Sequence, residues 1–226
     1  MNWWQRHADS GVAVAPSLLA ADFTELKQEI VSVESAGADL LHLDVMDGHF
    51  VPNLTFGPFI VAAVKRCSQL FLDAHLMISR PDRYLEDFAR SGVDAVTIHV
   101  EAEAPIAPTL DAVRMLGLKI GLSLNPGSDL ELVRSYLGEL DLLLVMAVQP
   151  GFGGQTFQPS ALEKISELRD IRHKYGYHYA ISVDGGVDDQ TAESCRQAGS
   201  DILVSGSYLF RSQDREQAIR RLRGLP

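Results

Sequence analysis

The stretch AGADLL at residues 36–41 recurs as SGVDAV at 91–96 and as AGSDIL at 198–203. In each copy, a glycine follows a segment of helical period and an aspartate opens a short apolar run. Glycine tolerates the left-handed backbone conformation that closes many helices, so each copy is interpreted as the joint between a helix and the next strand. A joint that recurs along the chain predicts repeated βα units.

Short runs rich in Val, Ile and Leu alternate with longer helical patterns, such as those at 22–37 and 159–176. The strands are predicted at 12–16, 39–43, 70–74, 94–99, 118–124, 141–146, 178–183 and 201–204. A unit of roughly 25 residues repeated about eight times predicts an α/β fold that is a single (β/α)₈ TIM barrel rather than an open sheet.

The prediction for domain organisation is one domain over residues 1–226, because no linker or low-complexity segment interrupts the pattern. Residues 1–11 are expected to form a short N-terminal extension. Trp3 and Trp4 in this extension are expected to dock on the body or on a neighbouring subunit, and a partner-binding tag is the alternative.

The composition is that of a globular protein, with 46% apolar and 22% charged residues among 226. A formal net charge of -10 argues against a general nucleic-acid or anionic-membrane surface, and no apolar run is long enough to span a bilayer. Cys67 and Cys195 are interpreted as structural, and such sparse cysteine suits a reducing compartment. The start of the chain lacks the apolar run of a secretory signal, so the expected location is the cytoplasm.

Titratable residues gather where the predicted strands end, which is where barrels of this kind carry their catalytic groups. His42 and Asp44 end the second predicted strand, His75 follows the third, and Asp184 follows the seventh. Two imidazoles and two carboxylates suit a divalent metal such as zinc. Each residue alone is more often a hydrogen-bonded structural group, and the residues themselves leave both interpretations open. His99 also ends a strand, but it is expected to be structural because no second group is seen to pair with it.

Glycines follow the last three predicted strands and suggest a cup for an anion. Gly151, Gly153 and Gly154 lie in QPGFGGQTF, and two further pairs are Gly185 with Gly186 and Gly206 with Ser207. Exposed backbone N–H groups in such loops bind phosphate, although a plain flexible turn is the alternative. Ser17, after the first strand, is either a substrate contact or a local turn residue.

Seven motifs resemble the ribulose-phosphate 3-epimerase family: APSLLAADF, LHLDVMDGHFVPNLTFGP, DAHLM, NPG, MAVQPGFGGQTF, VDGGV and SGSYLF. They follow one another in order over nearly the whole chain. The resemblance implies a barrel of the ribulose-phosphate binding type that interconverts D-ribulose 5-phosphate and D-xylulose 5-phosphate. This reaction belongs to the pentose phosphate pathway and, in photosynthetic organisms, also to the Calvin cycle. Departures from the usual motifs are Ala20, Gln149, Ser182 and Tyr208.

The resemblance also implies roles for individual residues. His42, Asp44, His75 and Asp184 would hold one divalent ion per subunit, usually zinc, with iron, manganese or cobalt as alternatives. Asp44 and Asp184 would in addition be the catalytic acid and base. The implied substrate contacts are Ser17, His75, Gly151, Phe152, Gly153, Gly154, Asp184, Gly185, Gly186, Gly206 and Ser207. A homo-oligomer is expected for this family.

Three alternatives remain open at this point. One is a 3-epimerase acting on a six-carbon ketose phosphate such as allulose 6-phosphate, because one extra carbon is discriminated only by pocket shape. The others are a non-catalytic phosphosugar-binding barrel and a metal-free decarboxylase on the same scaffold. A decarboxylase is expected to place a lysine near the reacting carbon, whereas all five lysines here are predicted away from the barrel mouth.

Overall fold

A computed structural model describes residues 11–226. These residues form eight parallel strands, which pair in the order β1-β8-β7-β6-β5-β4-β3-β2. A bridge between Ser17 and His42 joins the two end strands and closes the sheet into a barrel. Trp3, Trp4 and the predicted extension, apart from Gly11, lie outside the described residues.

Strands and helices alternate from β1 to β8, and two further helices follow β8. The strands are β1 (Ala13–Pro16), β2 (Leu40–Met46), β3 (Phe71–Met77), β4 (Ala95–His99), β5 (Lys119–Leu124), β6 (Leu142–Met146), β7 (Ala180–Asp184) and β8 (Ile202–Ser205). The helices are α1 (Leu26–Ser35), α2 (Pro58–Cys67), α3 (Leu85–Ser91), α4 (Ile106–Met115), α5 (Glu131–Arg134), α6 (Ser160–Tyr175), α7 (Ala192–Ala198), α8 (Ser207–Phe210) and α9 (Arg215–Leu222). Short 3₁₀ turns occupy Leu18–Ala20, Phe23–Glu25 and Pro81–Arg83. The (β/α)₈ barrel predicted from the sequence is confirmed.

Alternate residues of each strand face opposite sides of the barrel wall. Leu41 and Leu43 of β2 pack outward into the core between strands and helices, whereas Leu40 packs inward with residues such as Leu142 and Ile202. Among the described residues, no helix is long and apolar enough to cross a membrane. Cys67 and Cys195 are free thiols at the end of α2 and within α7.

The repeated aspartates of the sequence pin neighbouring strands together at the amino end of the barrel. The backbone N–H of Asp39 donates to the Val14 carbonyl at 3.0 Å, and its carboxylate accepts the Val14 N–H at 2.8 Å. The same double contact joins Asp94 to Leu72, Asp141 to Ile120, and Asp201 to Ile181. Asp141 completes a fourfold pattern of which the sequence repeat had shown three members. Gly92 and Gly199, in two of the repeats, end α3 and α7 in the left-handed conformation.

Replacing Asp39 is expected to destabilise the barrel strongly. Its carboxylate also accepts from Arg223 at 2.6 Å, and the two side chains are only 1% and 8% exposed. Removing one partner of a buried ion pair costs about 3–5 kcal/mol, so Asp39→Ala should lower the free energy of unfolding by that amount. Equilibrium unfolding in urea measures it. The matched control is Asp170→Asn, whose side chain is 68% exposed, and a loss no larger than in this control would contradict the expectation.

Candidate active site

A cavity of about 770 Å³ opens at the carboxyl end of the barrel. Its wall is built from residues that end or follow β1, β2, β3, β6, β7 and β8, including Ser17, Asp44 and Asp184. Met46, Met77 and Met146 form an apolar part of this wall. None of the chain's five lysines, all within the described part, lines the cavity.

The four predicted metal ligands come together in the barrel interior, and two of them, Asp44 and Asp184, line this cavity. One candidate ligand atom from each of His42, Asp44, His75 and Asp184 lies within 4.8 Å of the other three. His42 Nε2 is 3.2 Å from His75 Nδ1, and Asp44 Oδ1 is 3.4 Å and 3.2 Å from these two nitrogens. Ligands of a tetrahedral zinc ion, at about 2.0–2.1 Å from the metal, lie about 3.3 Å from one another. The spacing of the donors on His42, Asp44 and His75 therefore fits a divalent metal, and Asp184 lies near enough to serve as a fourth ligand.

Two of the strands that carry these ligands, β2 and β3, are longer than the sequence predicted. β2 continues to Met46 and β3 to Met77, so His42, Asp44 and His75 lie within strands rather than at their ends, while Asp184 is the last residue of β7. The pairing of β2 with β3 continues from Leu40 opposite Phe71 to Met46 opposite Met77. His42 and Asp44 were interpreted as the end of an apolar strand. They instead face the barrel interior, and the strand continues because its outward-facing residues remain apolar.

Asp73, which the sequence analysis missed, orients His42. Its Oδ2 lies 3.0 Å from His42 Nδ1, and its Oδ1 accepts from the Thr97 hydroxyl at 2.7 Å. A carboxylate at Nδ1 holds the proton on that nitrogen and leaves Nε2 free to face the ligand group. The signal in the sequence is the DAH triplet, since alternation along a strand turns Asp73 and His75 to the same face. Ser17 donates its hydroxyl proton to Asp44 Oδ2 at 2.6 Å and so orients that carboxylate.

The two aspartates of the cluster have very different proton affinities. Burial raises the pKa of Asp44, but His42 and His75 outweigh it and hold this pKa far below its usual range. Burial, together with the Asp44 carboxylate, raises the pKa of Asp184 to about 7. Burial lowers the pKa of His42, yet the carboxylates of Asp44 and Asp73 more than reverse this and raise it well above its usual value. The cluster thus attracts positive charge, which a divalent cation would supply.

His99, expected from the sequence to be structural, has a hydrogen-bond partner at each ring nitrogen. Its Nε2 is 2.8 Å from His75 Nε2, and its Nδ1 is 3.2 Å from Glu101 Oε2. Burial raises the pKa of Glu101, but His99, Ser128 and the Asn125 N–H outweigh it and bring this pKa to about 2. The contact between His75 and His99 could not be predicted from the sequence, because it joins β3 to β4 and depends on how the two strands are aligned.

The glycines predicted to form an anion cup all line the same cavity. They are Gly151, Gly153, Gly154, Gly185, Gly186 and Gly206, and Phe152 and Ser207 line the cavity with them. A Cβ atom on Gly186 would lie 2.5 Å from the Phe157 backbone nitrogen, and one on Gly185 would lie 2.5 Å from Val148 Cγ2. Because both glycines also have positive φ, these loops reach their packing only without side chains.

Two arginines at the outer end of the cavity were not among the predicted site residues. Arg211 follows α8, and Arg221 lies on α9 with its Nη1 3.7 Å from Asp189 Oδ2. Tyr208, one of the departures noted in the sequence, lines the same end. Tyr208 lies in the SGSYLF motif and Arg211 directly follows it, whereas no motif connects Arg221 to the mouth, because α9 reaches the mouth only through the closure of the barrel.

Residues 13–210 match the profile of the "Ribulose-phosphate 3 epimerase family". The chain belongs to the ribulose-phosphate 3-epimerase family. It is 46% identical to the "Ribulose-phosphate 3-epimerase" of Bacillus subtilis (strain 168) over 214 residues, which cover 94% of this chain and 99% of the relative. The Synechocystis enzyme of the same name is 44% identical over 94% of this chain and 93% of its own length. The chloroplastic enzyme of Arabidopsis thaliana is 42% identical over 95% of this chain and 77% of the relative.

Solved structures with lower identity share the fold. KGPDC from Streptococcus mutans, crystallised as a ligand complex, superposes with a TM-score of 0.72 at 15% identity, covering 94% of this chain and 96% of that one. A mutant tryptophan synthase alpha-subunit from Pyrococcus furiosus gives 0.68 at 13% identity, with 96% and 99% covered. This member of the epimerase family is therefore an isomerase built on a (β/α)₈ barrel.

Proposed function

We propose that this epimerase interconverts D-ribulose 5-phosphate and D-xylulose 5-phosphate by proton transfer at C3. The observation that carries the proposal is the meeting of Asp44 and Asp184 with two imidazoles in the barrel interior, where both aspartates line a cavity that also holds a cup of glycines. Inversion next to a carbonyl needs a base on one face of the carbon and an acid on the other. Two carboxylates on different strands, β2 and β7, meet that need.

Asp44 and Asp184 are proposed to exchange roles with the direction of the reaction. One carboxylate removes the C3 proton, the sugar becomes an enediolate, and the other carboxylic acid returns a proton to the opposite face. Without a metal, the two carboxyl groups already differ in proton affinity, since the pKa of Asp44 lies far below its usual range and that of Asp184 is raised to about 7. A bound cation would lower both pKa values.

His42, Asp44, His75 and Asp184 are proposed to hold one divalent ion, with zinc as the first candidate and iron, manganese or cobalt as alternatives. When bound, this ion would act as a Lewis acid that stabilises negative charge on the substrate oxygens. Asp73 keeps His42 in the tautomer that ligation requires, and Ser17 fixes the rotamer of Asp44. Met46, Met77 and Met146 keep water away from the reacting carbon.

The glycine loops are proposed to bind the substrate phosphate through backbone N–H groups. Gripping a remote group allows binding energy to orient C3 between the two aspartates. Ser17, His75 and Phe152 complete the proposed substrate contacts. Arg211 and Arg221 add positive charge at the phosphate end of a chain whose net charge is -10.

Gly186→Ala is expected to damage phosphate binding. The new Cβ meets the Phe157 backbone at 2.5 Å at a φ of +65°, so the loop after β7 must shift. A displacement of about 1 Å in a positioning contact costs about 10²-fold, which is the fall expected in kcat/KM. Steady-state kinetics and the inhibition constant of inorganic phosphate measure it, with Gly127→Ala as the control because its Cβ meets nothing within 4 Å. If the inhibition constant of inorganic phosphate is unchanged in Gly186→Ala, the loop after β7 does not bind the phosphate.

A coupled assay on metal-defined protein in deuterium oxide tests the proposed reaction. D-ribulose 5-phosphate should be converted to D-xylulose 5-phosphate with one solvent deuterium at C3. Conversion without deuterium at C3 would exclude proton exchange by carboxylates. A higher kcat/KM for allulose 6-phosphate would assign the six-carbon sugar, and binding without turnover would indicate a phosphosugar-binding barrel.

The cellular location and the oligomeric state are proposed from the free thiols, the named relatives and two exposed apolar side chains. Two free thiols support a reducing compartment, and we favour the cytoplasm, although the Arabidopsis relative is named as chloroplastic. Leu54 and Phe59 are 74% and 82% exposed, which supports a homo-oligomer that covers them. The whole chain is proposed to act as one domain in the pentose phosphate pathway, and in the Calvin cycle if the host is photosynthetic.

A further inference from the structure

His75 makes contacts on both sides of its ring. Its Nδ1 faces the ligand cluster, at 3.2 Å from both Asp44 Oδ1 and His42 Nε2. Its Nε2 points away from the cluster and lies 2.8 Å from His99 Nε2. The two rings are fully buried and stacked, with centroids 4.9 Å apart. His75 therefore joins the ligand cluster to a second imidazole behind it.

Glu101 lies beside the other ring nitrogen of His99 and accepts hydrogen bonds from the loop that contains Asn125 and Ser128. One oxygen of Glu101 is 3.2 Å from His99 Nδ1, and the other accepts the Asn125 N–H at 2.8 Å and the Ser128 hydroxyl. Three groups therefore point hydrogens at this side chain. A carboxylate satisfies all three, because it only accepts.

Lys164 of α6 fixes the loop that binds Glu101. Its ammonium donates to the carbonyl oxygens of Asn125, Pro126 and Ser128 at 3.0, 2.7 and 2.6 Å. The ammonium thus uses its three hydrogens on one turn of backbone. This contact holds Asn125 and Ser128 in place and gives Glu101 a rigid support.

The positions of the hydrogens in the series His75–His99–Glu101 follow from Glu101, the last member of the series. Because Glu101 only accepts, His99 carries its proton on Nδ1 and presents a lone pair at Nε2. Two nitrogens 2.8 Å apart share one hydrogen, so the His75 Nε2 must donate it. His75 Nδ1 is then left with a lone pair that faces the ligand cluster.

We propose that His99 and Glu101 are positioning residues that fix the tautomer of His75 and thereby set the metal affinity of the site. This inference rests on the proposed function, because it assumes that His75 ligates a metal. Neither residue needs to touch the substrate. Hydrogen bonds behind a ligating histidine fix its ring and raise its basicity, and losing them costs about 10–100-fold in metal affinity or activity.

Glu101→Gln tests the inference because it keeps the shape of the side chain. An amide has one oxygen for three incoming hydrogens, and two of these hydrogens come from the loop, so the amide oxygen stays on the loop side and the NH₂ faces His99. The NH₂ group then donates to His99 Nδ1, which moves the His99 proton to Nε2 and the His75 proton to the Nδ1 that faces the metal. The matched control is Glu103→Gln, an exposed carboxylate two residues along the same loop.

Zinc affinity is measured by chelator competition, and the histidine tautomers by ¹⁵N shifts of the zinc-loaded protein. Glu101→Gln should bind zinc about 10–100-fold more weakly and shift the visible spectrum of the cobalt-substituted protein, whereas Glu103→Gln should match the native protein. Native zinc affinity, spectrum and tautomers in Glu101→Gln would overturn the inference, even if its Tm fell.

A second variant covers the case in which Glu101→Gln does not fold. His99→Asn is too short to accept from His75 and should weaken zinc binding by a similar factor, and native affinity in this variant would equally overturn the inference. Failure of the native protein to bind zinc, iron, manganese or cobalt would be a different result. It would overturn the proposed metal site itself rather than the part that His99 and Glu101 play in it.

Discussion

Asp184→Asn is expected to lower kcat for epimerisation by roughly 10²–10⁴-fold, the contribution that a positioned acid or base makes. An amide neither removes nor supplies the C3 proton, while it preserves the volume of the carboxyl group at the end of β7. Asp44→Asn should lose activity to the same extent, because each carboxylate serves one face of the sugar. Both variants are assayed with metal content matched to the native protein.

Solvent exchange at C3 separates catalytic loss from loss of metal. With Asp184 changed, Asp44 still faces one side of the carbon, so one epimer should exchange its C3 hydrogen with deuterium oxide without being converted. Asp44→Asn should show the opposite preference. Asp170→Asn, exposed on α6, serves as the control. Near-native kcat in both Asp44→Asn and Asp184→Asn would show that neither residue moves the proton.

Removal of the metal is expected to have the second large effect. A Lewis acid contributes several kcal/mol to the stabilisation of transition-state charge, so about 4 kcal/mol corresponds to a loss of about 10³-fold in kcat. Protein dialysed against a chelator and checked by elemental analysis should lose activity to this extent. Adding back zinc, iron, manganese or cobalt one at a time should restore it and show which ion supports turnover.

His42→Ala tests whether the activity lost on metal removal depends on the group of His42, Asp44, His75 and Asp184. His42 is fully buried and offers Nε2 to the ligand group, so its removal should weaken metal binding and prevent rescue at stoichiometric zinc. His173→Ala, on the exposed side of α6, should behave like the native protein. Full turnover by protein shown to contain no metal would eliminate the ion as the electrophile.

Local patterns in the sequence were sufficient to predict the barrel, and the barrel together with the family resemblance was sufficient to predict the four clustered side chains. Apolar runs alternate with helical periods, and a histidine and a carboxylate two residues apart in an apolar run are conspicuous. The sequence was not sufficient to predict Asp73, or the partners of His99. Those contacts join β2 to β3 and β3 to β4, and they depend on an alignment of strands that no single segment encodes.

The ends of β2 and β3 were misplaced for a related reason. A strand in the barrel wall has a polar inner face near the mouth and an apolar outer face along its whole length, so His42 and His75 do not end their strands. Arg221 was missed because it lies on the last helix and reaches the cavity only after the barrel closes, whereas Arg211 stands one residue beyond the SGSYLF motif. Proximity of this kind depends on tertiary structure.

The paired contacts of Asp39, Asp94, Asp141 and Asp201 divide the barrel wall into quarters, each made of an odd strand and the even strand that follows it. Two quarters make a half. The half from β1 to β4 carries His42, Asp44 and His75, whereas the half from β5 to β8 carries Asp184 and the glycine loops. Neither half carries both aspartates, so the proposed active site would be complete only where the two halves of the barrel meet.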